Sequence, residues 1–319
     1  MSAANADAEG PEILPMGGDT LQRASSALQA GQPVAVPTET VYGLAARADS
    51  DVAVAAIYAA KGRPSFNPLI VHVPDTDAAR RLARFDRRAA DLAARFWPGP
   101  LTMVLPRLPG APLADAVTAG LPTVALRCPA HPAMHALLRR CAFPLAAPSA
   151  NRSGAISPST AEHVASSLKG RIGLIIDAGA AEQGIESTIV ALDVGGWRIL
   201  RPGPVTADQL REVLGTEPDS QPAGASIEAP GQLASHYAPG KPVRLNVMQA
   251  HEGEYHIGFA DIAGDTSLSP RGDLFEAAAR LYACLHRAAE SPQPRIAIAP
   301  VPDTGIGAAI NDRLARAAA

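Results

Sequence analysis

Eight short apolar runs lie between residues 33 and 202, and nearly every one stops at a polar cluster. They are PVAVP (33–37), PLIVHV (68–73), LTMVLP (101–106), TVALR (123–127), PLAAPS (144–149), IGLIIDAG (172–179), STIVAL (187–192) and WRILRP (197–202). Runs this short, bounded by Pro, Gly and Ser, are read as strands. Helical patterns occur over 50–62, 77–96, 132–140, 160–168 and 206–214, without alternating strictly with the strands. That irregularity favours an α+β or mixed α/β domain on a large twisted sheet. An earlier helix is expected through Leu21, Ala24 and Leu28, capped by Asp19 and ended by Gly31. The first dozen residues read as a flexible tail.

The chain changes character at 215–241, where Pro, Gly, Ser and Ala dominate and apolar periodicity disappears. PVRLNVM, YHIGFA, a helix over about 271–289, RIAIAP and a helix near 305–318 then form a small α/β unit. The expected division is a catalytic domain over 13–215, a linker or lid over 216–241 and a C-terminal domain over 242–319.

Charge and cysteine content narrow the possible functions. With 28 Lys+Arg against 31 Asp+Glu, the net charge is −3, a poor match for a protein whose main task is gripping phosphate backbones. Cys128, Cys141 and Cys284 are too scattered for a disulfide framework or a CxxC zinc site, which fits a reducing cytoplasm. The N-terminus lacks a basic region followed by an apolar run, and no stretch approaches the ~18 apolar residues of a membrane span. A cytoplasmic protein with no membrane partner is expected.

The chemistry-bearing residues gather in clusters. PTETVYGL (37–44) places Thr38, Glu39, Thr40 and Tyr42 at an expected strand-to-helix junction; a capping turn would have a similar composition. KGRPSFNPLIVH (61–72) offers Lys61, Arg63 and Asn67 in a turn that could face a triphosphate, with His72 inside the following strand. The plainer alternatives are a solvated basic turn and a satisfied core histidine. There is no GxxxxGK[ST] loop. Arg127 ends an apolar strand and needs an anion, whether a protein carboxylate or a ligand. His131 and His135 have helical spacing, but Pro132 places His131 at the helix entry, so capping is expected rather than metal binding. Cys128 is assigned to packing. APSANRSGAISPST (147–160) crowds Ser149, Asn151, Ser153, Ser157, Ser159 and Thr160 around Gly154; GIESTIV (184–190) adds Ser187, and WRILRPG (197–203) ends with Arg201. His236 and Tyr237 in SHYAP (235–239) are unusual in so bland a segment. Hydroxyls combined with a few cations suit a small polar substrate beside a polyphosphate. They also suit catalysis by positioning and charge neutralisation, without a protein nucleophile.

In this order, PTETVYGL, KGRPSFNPLIVH, WPGPLTMVL, ALRCPAHP, APSANRSG, SPST, GIESTIV and ILRPG resemble the YrdC-like fold of the L-threonylcarbamoyladenylate synthases. SHYAP and GAAINDRLARAA resemble the longer, two-domain members. The resemblance implies a YrdC-like domain with a large twisted mixed sheet and a small C-terminal Rossmann-like α/β domain. It implies that L-threonine, bicarbonate or CO2, and ATP give threonylcarbamoyl-AMP and pyrophosphate. Mg2+ would enter with ATP, and no organic cofactor is implied. This nucleotidyl transfer is the first stage of threonylcarbamoylation of adenosine 37 in tRNA, followed by threonylcarbamoyl-transferase machinery; stable tRNA binding is not expected. By resemblance Thr40, His72, Arg127, Ser149 and Ser187 bind threonine, with Thr38 and Tyr42 lining the site. Lys61, Arg63, Asn67, Thr123, Asn151, Ser159, Arg201 and Tyr237 contact ATP, and Lys61 and Arg63 stabilise charge. No residues are assigned to the metal. Tyr237 leads to the expectation that the linker folds over the pocket as a lid. Competing readings are a carbamoyl-adenylate-forming enzyme, whose CxxC zinc motifs are missing here, and a non-catalytic RNA-binding or regulatory module, which the charge disfavours.

Overall fold

The computed structural model describes residues 10–220, 228–232 and 236–319. Residues 221–227 and 233–235 of the expected linker, and 1–9 of the expected tail, lie outside the described residues. The strands of the first domain are β1 (Glu12–Pro15), β2 (Val34–Val36), β3 (Gly43–Arg47), β4 (Ile70–His72), β5 (Leu101–Pro106), β6 (Thr123–Arg127), β7 (Leu145–Ala146), β8 (Leu174–Asp177), β9 (Thr188–Leu192) and β10 (Trp197–Arg201). They form one mixed sheet in the order β1-β8-β2-β3-β7-β4-β6-β5-β9-β10. Helices α1 (Gly18–Gln29), α2 (Asp51–Lys61), α3 (Thr76–Arg80), α4 (Arg87–Phe96), α5 (Asp115–Thr118), α6 (Pro132–Cys141), α7 (Ala161–Ser167) and α8 (Ala207–Leu214) connect them.

Each apolar run contains a strand, but four local expectations fail. The expected tail ends one residue too late: Glu12 already belongs to β1, which pairs in parallel with β8, Glu12 opposite Leu174. The PTETVYGL cluster is not a strand-to-helix junction, because the chain turns back into β3, antiparallel to β2 with Val36 opposite Gly43. The helix expected over 77–96 is two helices. Asp86 restarts the chain as α4 by accepting from the Ala89 N–H at 2.9 Å, while Ala83 bridges to Arg107. Asp19 does not cap α1: Gly17 stands at the cap, and Asp19 lies in the first turn, where its charge still complements the helix dipole. Other caps follow the sequence. Ser50 Oγ accepts from Ala53 N–H at 3.3 Å, Gly62 closes α2 at a φ of 61°, and Thr160 caps α7. His131 Nδ1 accepts from Ala133 N–H at 3.2 Å, which is capping rather than metal ligation.

The C-terminal domain contains β11 (Val243–Arg244), β12 (Glu254–Gly258), β13 (Thr266–Ser267), α9 (Leu274–Glu290), β14 (Arg295–Ile298) and α10 (Gly307–Ala317). Its four-stranded sheet, ordered β11-β14-β12-β13, is parallel throughout. This domain does not stand apart. Val41, Ile156, Ile185 and Tyr237 belong to the same buried cluster as Leu281, Leu285 and Ile310. Gly184 makes that contact possible: its φ is +68°, and a Cβ there would lie 2.5 Å from the Ala278 carbonyl oxygen of α9. No helix among the described residues is long and apolar enough to cross a membrane.

Candidate active site

Sheet register gathers the site. β4 and β6 run parallel with His72 opposite Arg127. Antiparallel β7 sets Leu145 opposite His72, and the chain beyond it returns Ser149 to the same edge through a bridge to Gly43. β9 starts beside β5, Thr188 opposite Leu101, so Ser187 arrives at the neighbouring position. Gly203 lets the exit of β10 close against this wall, since a Cβ there would sit 2.4 Å from Thr188 N. The result is a narrow cavity of about 40 Å3 lined by Thr40, Val41, Arg63, Ile70, His72, Arg127, Ala147, Pro148, Ser149, Glu186, Ser187, Arg201, Pro230, Gly231, His236 and Tyr237. A larger cleft of about 520 Å3, between Pro74 and Phe143, has no hydroxyl side chain in its lining.

At one end Arg127 is fixed by three acceptors. Its Nη2 donates to Glu39 Oε1 at 2.6 Å, Nη1 to Thr40 Oγ1 at 2.9 Å and Nε to Gly99 O at 3.2 Å. Both charged side chains are buried, and Glu39 also accepts from His131 N–H at 3.3 Å. Burial opposes ionisation of Glu39, but the Arg127 charge together with the hydrogen bonds the carboxylate accepts holds it below its ordinary range. Thr38 Oγ1 shares a 2.8 Å hydrogen bond with Thr40 and donates to Val41 O at 2.6 Å, which shapes the turn. Ser187 Oγ shares a 2.8 Å hydrogen bond with Thr102. Burial, helped by the Arg127 charge, pushes His72 down to about 3, so its imidazole is neutral at physiological pH. Its Nδ1 is buried without a hydrogen-bond partner.

The other end carries cations bound to uncharged oxygens. Lys61 Nζ donates to Ser149 O and Asn151 O, each at 2.6 Å, and approaches Asn151 Oδ1 at 3.4 Å. Arg63 donates to Asn67 Oδ1 at 2.6 Å, Pro68 O at 2.9 Å and Asn67 O at 3.2 Å. Burial, with Arg63 adding to it, pushes the Lys61 ammonium well below its ordinary value; burial also brings Arg63 down to about 10. Both changes record the cost of cations kept without an anion. Arg201 donates to Ser187 O at 2.9 Å and Ser187 Oγ at 3.1 Å.

Pro230, Gly231, His236 and Tyr237 close the cavity from the linker. Tyr237 is 1% exposed, and its ring meets Tyr282 of α9 at 5.5 Å between centroids. The sequence left Glu39 without a partner and did not single out Glu186, Arg313, Tyr282 or Thr102. Glu186 lies on the cavity wall and accepts from Ser157 Oγ at 2.5 Å, Tyr282 OH at 2.7 Å and Arg313 Nε at 3.0 Å. Burial works against its charge, yet Arg313 and Arg201 hold its carboxyl at about 2. The only sequence signal for Glu186 is its position immediately before Ser187.

Of the named site residues, Thr40, Arg63, His72, Arg127, Ser149, Ser187, Arg201 and Tyr237 line the cavity together. Lys61, Asn67 and Asn151 join it through the hydrogen bonds above. Tyr42 does not: it is fully buried in the domain core and its hydroxyl donates to Gly179 O at 2.7 Å. Ser159 faces His163, with 3.2 Å from Oγ to Nδ1. Thr123 begins β6, four residues from Arg127, and lies on the Asn67–Pro68 side, since Ala125 pairs with Ile70.

Fold and pocket together define a two-domain α/β protein with a hydroxyl- and cation-lined ligand site at the edge of a mixed sheet. A family model described as "Telomere recombination" matches residues 26–203, and one described as "Threonylcarbamoyl-AMP synthase, C-terminal domain" matches 205–319. Threonylcarbamoyl-AMP synthase of Bacillus subtilis is 41% identical over 323 residues, covering 93% of this chain and 92% of its own. The enzyme of that name from Pyrococcus abyssi is 44% identical over 226 residues, 69% of this chain and 66% of its own. The crystal structure of P. abyssi Sua5 complexed with L-threonine superposes with a TM-score of 0.87 at 34% identity, covering 96% of each chain. The chain belongs to the threonylcarbamoyl-AMP synthase family, in its two-domain form.

Proposed function

We infer that this chain makes L-threonylcarbamoyl-AMP from L-threonine, CO2 or bicarbonate, and ATP, releasing pyrophosphate, as the first stage of threonylcarbamoylation of tRNA adenosine 37. The observation that carries this reading is the convergence of a fixed arginine fork, a neutral histidine, serine hydroxyls and unpaired cations in one closed cavity. Arg127, held flat by Glu39 and Thr40, receives the threonine carboxylate through its remaining N–H groups. Thr40, Ser149 and Ser187 supply hydroxyls, and neutral His72 can pair with the substrate without adding charge. Lys61, Arg63 and Arg201 face the nucleotide phosphates, with Asn67, Asn151, Ser159, Thr123 and Tyr237 completing the ATP contacts.

Threonine's unprotonated amine attacks CO2, forming the N–C bond and releasing one proton. A carbamate oxygen then attacks the α-phosphorus, and the bond to the β-phosphate oxygen breaks with its electron pair leaving on pyrophosphate. The nucleophile belongs to the substrate, so the protein positions two anions and offsets their repulsion. Among the described residues no group of three or more His, Cys, Asp or Glu side chains is gathered to hold a metal. Mg2+ enters with the ATP phosphates, as part of that substrate. The lid residues exclude water from a labile product, which passes to a separate transferase in the cytoplasm without stable tRNA binding.

Pyrophosphate release measured with each substrate omitted in turn tests the reading. Release should require threonine, bicarbonate and ATP together; release independent of threonine would overturn it.

A further inference from the structure

Glu186 poses a physical problem for a synthase of this kind. It is a buried carboxylate on the wall of a cavity that must admit a carboxylate and a triphosphate. Left alone it would repel both substrates or capture one of the pocket's own cations. Its partners come mainly from the C-terminal domain. Arg313 of α10, with no exposed surface, donates Nε to Glu186 Oε2 at 3.0 Å, and Tyr282 of α9 donates to the same oxygen at 2.7 Å. Arg313 Nη1 also donates to Pro202 O at 2.8 Å, immediately after Arg201, and to Asp312 Oδ2 at 2.9 Å. Its guanidinium carbon stands 5.7 Å from the centroid of the Tyr237 ring, a cation–π arrangement that reaches the lid. One side chain thus touches the residue before Ser187, the residue after Arg201, and the closing tyrosine.

We propose that Arg313 is a positioning residue for the synthase reaction: it holds Glu186 and Tyr237 in place and absorbs the Glu186 charge, which leaves Lys61 and Arg63 free for substrate anions. The C-terminal domain is then part of the active site rather than an appendage. The proposal rests on the synthase reading above and deepens it.

The test uses the full chain, with threonine-dependent pyrophosphate release and calorimetric threonine binding. Arg313→Met should lower kcat/KM for ATP by about 100-fold, because it leaves a buried carboxylate unpaired in an anion site. Adding Glu186→Gln to that variant should recover at least about tenfold, since the two changes are coupled through one charge pair. Under a purely structural role, loss and recovery of activity would follow loss and recovery of the melting temperature, so the fall in kcat/KM is read at temperatures where all variants are folded. If wild type releases no pyrophosphate with threonine, the synthase reading fails. If wild type is active and Arg313→Met stays within about threefold of it, or the double variant is no better than the single one, the positioning role is overturned. Should Arg313→Met not fold, Tyr282→Phe decides. A loss of about fivefold in kcat/KM at an unchanged melting temperature supports the role, and an unchanged kcat/KM overturns it.

Discussion

Two groups of cations face one cavity and are partnered in opposite ways. Arg127 is ion-paired with buried Glu39, so that end carries little net charge while presenting a rigid fork. Lys61 and Arg63 give their hydrogen bonds to backbone carbonyls and to amide oxygens of Asn67 and Asn151, so their charge remains uncompensated. The contrast matches the proposed substrates. Threonine is a zwitterion and needs orientation more than charge, whereas ATP is a polyanion and needs field. Geometry specifies one end and electrostatics the other, and each end should fail in its own way.

The largest effect is expected at the uncompensated end. Arg63→Ala or Lys61→Ala should cut pyrophosphate release by about 10²–10³-fold, the usual loss for a donor aimed at developing phosphoryl charge. Threonine affinity by calorimetry should stay within about threefold. Equal losses in both quantities would break the comparison by showing a single site with no division of labour. Next comes Arg127→Gln, which should weaken threonine binding by about 30–100-fold, the cost of one charge-assisted bidentate contact. Glu39→Gln should be milder, because the fork keeps its contacts to Thr40 and Gly99.

Much of this contrast could be read in the chain, and the unread part has a common physical cause. β5 and β6 fall on the residues expected from LTMVLP and TVALR, because a continuous apolar run between turn residues leaves few alternatives. Arg127 at the end of such a run announces that it needs an anion, but Glu39 lies 88 residues away and becomes its partner only once β4, β6 and β7 are in register. Glu186 and Arg313 are 127 residues apart, so no local pattern relates them. β1 and β13 have four and two residues and draw their stability from a neighbouring strand rather than from their own composition. Tyr42, adjacent to the site in sequence, points into the core because the chain turns directly into β3 at the next residue, where the sequence suggested a helix.

A smaller effect separates the ends by pH. His72 and His236 are both lowered from about 6.5 to about 3, with burial as the main cause. The unfolded chain then binds more protons than the folded one between these values. Their contribution to stability is complete above about pH 6.5 and declines as pH falls towards 3. Glu186, held at about 2, adds a loss confined below its unfolded value near 4.5. The melting temperature should fall from pH 7 to pH 5, and His72→Gln should flatten that slope. A wild-type profile flat across this range would remove the case for a neutral ring at the threonine end.

The smallest expected effect is the response to salt, and it addresses the comparison most directly. Screening acts on the attraction between a polyanion and an uncompensated pocket, and much less on a ligand held by fixed hydrogen bonds in a neutral one. Between 0.1 and 0.5 M ionic strength the KM for ATP should rise about three- to fivefold, while the KM for threonine moves by less than about 1.5-fold. Burial of Lys61 and Arg63 limits the size of the rise, because most of their field acts where salt does not penetrate. A threonine KM that rose in step with that of ATP would mean that Glu39 fails to neutralise Arg127. Both ends would then recognise charge alone.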